Sequence, residues 1–258
     1  MSIEEKGAIM KQNIYDNEEF FNSFKALRES DSCYNELLEQ PAMMNLLPNL
    51  SDKSVLDLGC GLGINCIDFA KSGASRVTGI DISKRMIDVA KSKNADDKVS
   101  YVNMALEDIS TLDSKYDFIY SSLCFHYIYD FNKLIKDIFN LLNDNGVLLF
   151  SQEHPIVTAS IGNNIGYLKD KNDKEYAYCI SNYQNEKVHR VENWFVDGII
   201  KYHRTFSTII NTLTDSGFVI EKVIEPVPDE YALNKRSGLA KEFIKPNFLI
   251  IKAGKGGK

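Results

Sequence analysis

The chain contains no CxxC pair, no apolar run approaching the roughly 20 residues a membrane-crossing helix needs, and no excess of basic side chains. Its five cysteines (Cys33, Cys60, Cys66, Cys124 and Cys179) are odd in number. They suit neither a disulfide framework nor a zinc site and predict reduced thiols in a cytoplasmic protein, with no metal. A formal net charge of −6 offers no footprint for a polyanion, so neither nucleic acid nor membrane is an expected partner. The first eleven residues are charged and lack the apolar stretch of a signal peptide. No Gly-Lys-Ser/Thr follows the glycine-rich turn, which excludes a P-loop.

What is present is an α/β pattern with apolar residues enough for one sizeable core. Of 258 residues, 44% are hydrophobic and 11% aromatic, which fits one α/β domain with an insertion. Val55-Leu56-Asp57-Leu58 runs into Gly59-Cys60-Gly61-Leu62-Gly63, and Asp81 ends the next apolar run. Glycines after a strand let the backbone turn sharply and bring its N–H groups close to a ligand, and the following helix adds its positive end. An acidic residue at the end of the second strand is placed to accept from a ribose diol. A dinucleotide site would carry G-x-G-x-x-G, but Ile64 occupies the place of the third glycine. Asp57, two places before the first glycine, suits a cationic amino group better than a pyrophosphate. A nucleoside bearing an amino acid is therefore expected rather than NAD.

Strand-like segments at 54–58, 76–80, 99–103, 116–121 and 147–151 alternate with helical spacing at 65–71, 84–93 and 131–142, and Ser83 is a candidate N-cap. Asn143–Gly146 is expected to break the helix before the fifth strand. The alternation lapses after Glu153 and resumes with a helix near 205–216 and strands at 218–225 and 247–252. Parallel pairing with right-handed crossovers follows.

Asp57-Leu58-Gly59-Cys60-Gly61-Leu62-Gly63 resembles the first motif of class I S-adenosylmethionine-dependent methyltransferases, and Val77–Ser83 with Met86 resembles the second. Ala105–Ile109, Tyr116–Leu123 and Asn145–Phe150 are similar to the following three, in order. The resemblance is to small-molecule, type 11-like members. It implies a Rossmann-like, doubly wound sheet of seven strands, mostly parallel, with the last antiparallel. It also implies S-adenosylmethionine as cofactor and a small-molecule methyl acceptor. In this frame Gly59, Cys60, Gly61 and Gly63 approach the cofactor, Asp57 faces its amino group directly or through water, and Asp81 holds the ribose. Ile82 and Met86 lie against the adenine, Leu106 and Glu107 meet its edge, and Ser122 lies beside the methyl donor. Tyr15 and Arg28, on an aromatic helix expected over 14–27, are candidate cap residues facing the ligand.

Methyl transfer is an in-line displacement that alignment alone can accelerate, and a general base helps where the acceptor is a hydroxyl or a protonated amine. The candidates are His126 after the fourth strand, Glu153 and His154 after the fifth, and His203, with Arg204 beside it as a partner for an anionic group. Residues 1–49 are expected to form an N-terminal helical cap. Residues 50–152 and 203–258 should form the cofactor domain, and 153–202 an aromatic-rich lid or dimerisation arm in a monomer or homodimer. Tyr176–Ile180 and Val191–Val196 are expected to pair as a hairpin within it. The competing readings are an NAD-dependent oxidoreductase and a non-catalytic cofactor-binding module.

Overall fold

The computed structural model describes residues 11–28, 30, 32–159, 166–187 and 189–256, so the first ten residues of the expected cap lie outside the described residues. Five strands, β1 (Ser54–Leu58), β2 (Arg76–Asp81), β3 (Val99–Asn103), β4 (Tyr116–Ser121) and β5 (Leu142–Glu153), pair in parallel in the order 3-2-1-4-5. Beyond the expected lid the chain adds β10 (Phe218–Ile224) and β11 (Phe248–Lys255), and β11 slots antiparallel between β5 and β10. The seven-stranded sheet is thus formed as the sequence implies.

Period-2 alternation divides each central strand between two cores. Leu56, Leu58, Ile119 and Phe150 face one, with α5 (Phe131–Leu141) and α7 (Phe206–Asp215) over it. Val55, Val77, Phe118 and Leu149 face the other, with Phe69 of α3 (Ile64–Lys71) and Ile87 of α4 (Lys84–Lys93). Leu134, Ile135, Ile138 and Leu141 of α5 are all buried, as 3.6-residue spacing requires. Its N-cap is Asp130, which accepts from Lys133 N–H at 2.9 Å. The expected break at 143–146 is not a separate loop. The helix ends at Leu141 and β5 begins at once, with Asn145 taking φ 62° inside the strand.

Ser83 caps α4, accepting from Met86 N–H at 3.1 Å while its hydroxyl donates to Asp16 at 2.6 Å. Asp16 also accepts from the N–H of Arg85 at 3.1 Å, so this residue, just before α1 (Glu18–Arg28), tethers the N-terminal segment to α4. Ser83→Ala breaks both contacts and is expected to cost about 1–2 kcal/mol, read from the urea midpoint.

The segment between β5 and α7 forms two separate hairpins, β6 (Tyr167–Lys169) with β7 (Glu175–Tyr178), and β8 (His189–Trp194) with β9 (Val196–Tyr202). The expected pairing of 176–180 with 191–196 does not occur. Each run instead pairs with its sequence neighbour, where the closing loop is short and its entropy cost small. The β8–β9 hairpin meets the N-terminal segment. Gln12 exchanges hydrogen bonds with the backbone of Ile200 at 2.7 and 3.2 Å. Phe20 packs edge-on against Trp194 and Phe195, both at 5.6 Å between ring centroids.

Candidate active site

Above the carboxyl ends of β1, β2, β4 and β5 lies a cavity of about 940 Å³, where the strand order reverses and an open α/β sheet holds its ligands. The glycine turn follows β1 and the Asp81 carboxylate sits at the end of β2, 8% exposed. Asp81 accepts from the N–H of Gly61 at 2.9 Å and from that of Ser83 at 2.8 Å, which leaves its other lone pairs for a ligand. Burial pushes its pKa up to about 6. Gly61 has φ +52°, and a Cβ there would enter open space, so close approach from the cavity is unobstructed. Gly59, at φ +77°, is held differently: a Cβ would stand 2.7 Å from Cys124 Sγ. Leu123, next to Cys124, takes φ 52°, a strained conformation of the kind found where a loop presents a binding surface.

Of the residues singled out from the sequence, Tyr15, Arg28, Gly59, Cys60, Gly61, Asp81, Met86, Ser122, His126 and Glu153 line this cavity. Asp57 does not. It lies beneath the turn at 1% exposure, accepting from Cys66 Sγ at 3.4 Å, and burial raises its pKa to about 7. Gly63 opens α3, against the Tyr101 hydroxyl. Ile82, Leu106 and Glu107 also fall outside the lining residues, and Leu106 is packed into the core.

Two expected bases are structural. His154, extended before Pro155, caps the short helix Pro155–Thr158 by accepting from Ile156 N–H at 3.1 Å and pairs with Glu225 at 2.8 Å. His203 bonds the Thr158 hydroxyl and the carbonyl of Tyr183, both at 2.8 Å. Neither reaches the cavity. Arg204, expected as an anion partner, is buried and donates to the carbonyls of Phe125, Ile128 and Tyr129.

His126 does reach it. Its Nδ1 accepts from the backbone N–H of Glu153 at 3.3 Å, which leaves the ring proton on Nε2. Burial, with Lys201 and Arg204 nearby, holds its pKa well below the usual histidine value. It is a fixed donor, not a base. Sequence reading missed a ladder of charge beside it: Arg190 pairs with Glu192 at 2.6 Å, Glu192 with Lys201, and Lys201 with Glu153. It also missed Glu39, fully buried, which accepts from Asn35 Nδ2 at 2.6 Å, Gln40 Nε2 at 3.0 Å and Ser122 Oγ at 2.9 Å. The Asn35–Glu39 spacing of one helical turn was the available signal.

A methyltransferase-domain family model matches residues 56–150. A solved S-adenosylmethionine-dependent methyltransferase from Mesorhizobium loti is 31% identical, with a TM-score of 0.76 over 88% of this chain and 99% of that one. The chain belongs to the S-adenosylmethionine-dependent methyltransferases. A Listeria monocytogenes structure provisionally assigned to the same class is 36% identical, with a TM-score of 0.74 over 84% of this chain and 97% of that one. An uncharacterized Haemophilus influenzae protein is 39% identical over 225 residues, 84% of this chain and 87% of that one. S-adenosylmethionine is accordingly the cofactor of this methyltransferase, and the NAD reading is set aside. The glycine turn, the buried Asp81 carboxylate and the open space over Gly61 fit it.

Proposed function

We propose that this methyltransferase acts on a small molecule held beside the cofactor in the same cavity. The observation that carries the reading is the roof: the N-terminal segment and the β8–β9 hairpin close over the carboxyl edge through Gln12–Ile200 and the Phe20–Trp194 contact. A volume of about 940 Å³ suits a nucleoside cofactor plus a compact acceptor rather than a macromolecule. The cap of residues 1–49 and the lid of 153–202 then act together in excluding water and selecting the acceptor. Five unpaired thiols support work in a reducing compartment.

When bound, the cofactor supplies an electrophilic methyl group. The chain's own residues position it. Gly59 and Gly61 admit its backbone-hugging end, Asp81 accepts from the ribose hydroxyls, and Met86 lies against the base. Tyr15, Arg28 and Ser122 face the amino-acid end, and Asn35 adds a buried Oδ1 without a hydrogen-bond partner among the described residues. Its amide orientation is fixed by donation to Glu39, so the free atom is an acceptor suited to an ammonium. His126 orients the methyl acceptor through Nε2–H.

Calorimetry tests this. S-adenosylhomocysteine should bind and NADH should not; the reverse would overturn the reading. Because Asp81 accepts from the diol in its ionised form and its pKa is raised to about 6, affinity should fall as the pH drops through about 6. Asp81→Asn should flatten that profile.

A further inference from the structure

One residue lining the cavity carries an unsatisfied carboxylate oxygen. Glu153, at the end of β5, lines the cavity and gives one oxygen, Oε1, to the Lys201 ammonium. Its other oxygen, Oε2, is buried and has no hydrogen-bond partner among the described residues. Burying such an oxygen is unfavourable unless a donor reaches it. The backbone N–H of the same residue is spent on His126 Nδ1 at 3.3 Å. The two groups therefore divide their chemistry: the imidazole has only a proton to give, and the carboxylate has a lone pair free.

The charges in line with Glu153 balance one another. Arg190, Glu192, Lys201 and Glu153 alternate in sign and pair in sequence. Lys201, 5% exposed, stands 5.9 Å from the ring centroids of both Tyr127 and Trp194. Aromatic rings thus flank the lysine that holds Glu153, and the four-residue ladder carries no net charge.

We infer that Glu153 is the proton acceptor of the reaction and that the site takes an uncharged, planar small molecule presenting a phenolic or enolic hydroxyl. This rests on the methyltransferase reading above. Alkylamines are disfavoured for a chemical reason. A protonated amine has no lone pair until its proton has gone, and a carboxylate is far too weak a base to remove it beforehand. A hydroxyl keeps a lone pair while protonated. Its oxygen attacks the methyl carbon and the new O–C bond forms. The C–S bond breaks with its electron pair on sulfur, and the hydroxyl proton, now strongly acidic, passes to Glu153 Oε2. From there it leaves to solvent, so one neutral acceptor yields one neutral ether, S-adenosylhomocysteine and one proton.

The experiment needs no knowledge of the natural acceptor. Sinefungin carries an amino group where the cofactor carries its methyl group, so it probes whatever faces that position. A charge-assisted hydrogen bond to Oε2 should make sinefungin bind roughly tenfold more tightly than S-adenosylhomocysteine. Glu153→Gln should erase that preference while leaving S-adenosylhomocysteine affinity within about twofold. Should the glutamine variant fail to bind S-adenosylhomocysteine, Glu153→Asp provides the same comparison with the carboxylate retracted, and its preference should shrink. An unchanged ratio in the variant that binds overturns the assignment of Glu153. Saturation-transfer NMR on the S-adenosylhomocysteine complex then ranks phenol, benzylamine and benzoate. Phenol should bind, and its signal should be lost in the Glu153 variant. Preference for benzylamine or benzoate, or no phenol signal, overturns the hydroxyl reading. Failure of wild-type protein to bind S-adenosylhomocysteine would instead sink the function proposed above.

Discussion

Asp81→Asn is expected to weaken S-adenosylhomocysteine binding by roughly a hundredfold or more, because hydrogen bonds to a charged acceptor contribute about 1.5–3 kcal/mol each. The fold should hardly notice. Asp81 is 8% exposed and its pKa is raised to about 6 by burial, so the charge itself is a burden on the native state. Removing it relieves that burden while one of its two backbone donors, Gly61 or Ser83, loses an acceptor. The opposed effects should leave the melting temperature within a few degrees of wild type, as at a site where stability has been traded for binding. Calorimetry and a thermal melt on the same sample decide the matter. Unchanged affinity would remove Asp81 from the site, and a collapsed melting temperature would recast it as a structural residue.

Arg204→Met should do the opposite, destabilising the fold while leaving no direct mark on the cofactor. Its guanidinium donates to the carbonyls of Phe125 and Tyr129 at 3.3 and 3.2 Å, and to that of Ile128. It lies 4.8 Å from the Phe131 ring centroid. Those carbonyls belong to the short turn that carries His126 (Phe125–Tyr127) and to the lead-in of α5. Methionine fills the volume but leaves buried acceptors unpaired, at an expected cost of about 3–5 kcal/mol. In a chain of this size that corresponds to a fall of about 10 °C in melting temperature. Arg204→Lys should rescue little, since one ammonium cannot span carbonyls on three residues. A loss below 1 kcal/mol would show that water or neighbouring donors satisfy these carbonyls.

The glycine turn and the acidic strand end were legible because they are local in sequence, whereas Asp57, Ile82, Leu106 and Glu107 fall outside the cavity lining. A strand, a turn that needs φ above zero, a helix and an acidic strand end all fall within residues 54–81, and each has its own signature. The acceptor half is assembled from afar. Glu153, Glu192 and Lys201 belong to three different strands, and no spacing rule joins them. The histidines misled for a related reason. His154 and His203 stand at strand ends, as catalytic residues do, but the carboxylate of Glu225 and the hydroxyl of Thr158 claim them first. Only packing shows which strand end points at the cavity. The hairpin pairing failed because 176–180 and 191–196 are both apolar enough to pair, and loop length settled the choice.

The junction of Gln12 with Ile200, 188 positions apart, has an evolutionary reading. Both pieces of the roof lie outside the seven-stranded sheet, one ahead of β1 and one spliced between β5 and α7. They meet each other through side chains and one exchanged pair of hydrogen bonds rather than through the frame's ladder. A descendant could therefore exchange the hairpin for another and acquire a new acceptor, while inheriting the glycine turn and Asp81 untouched.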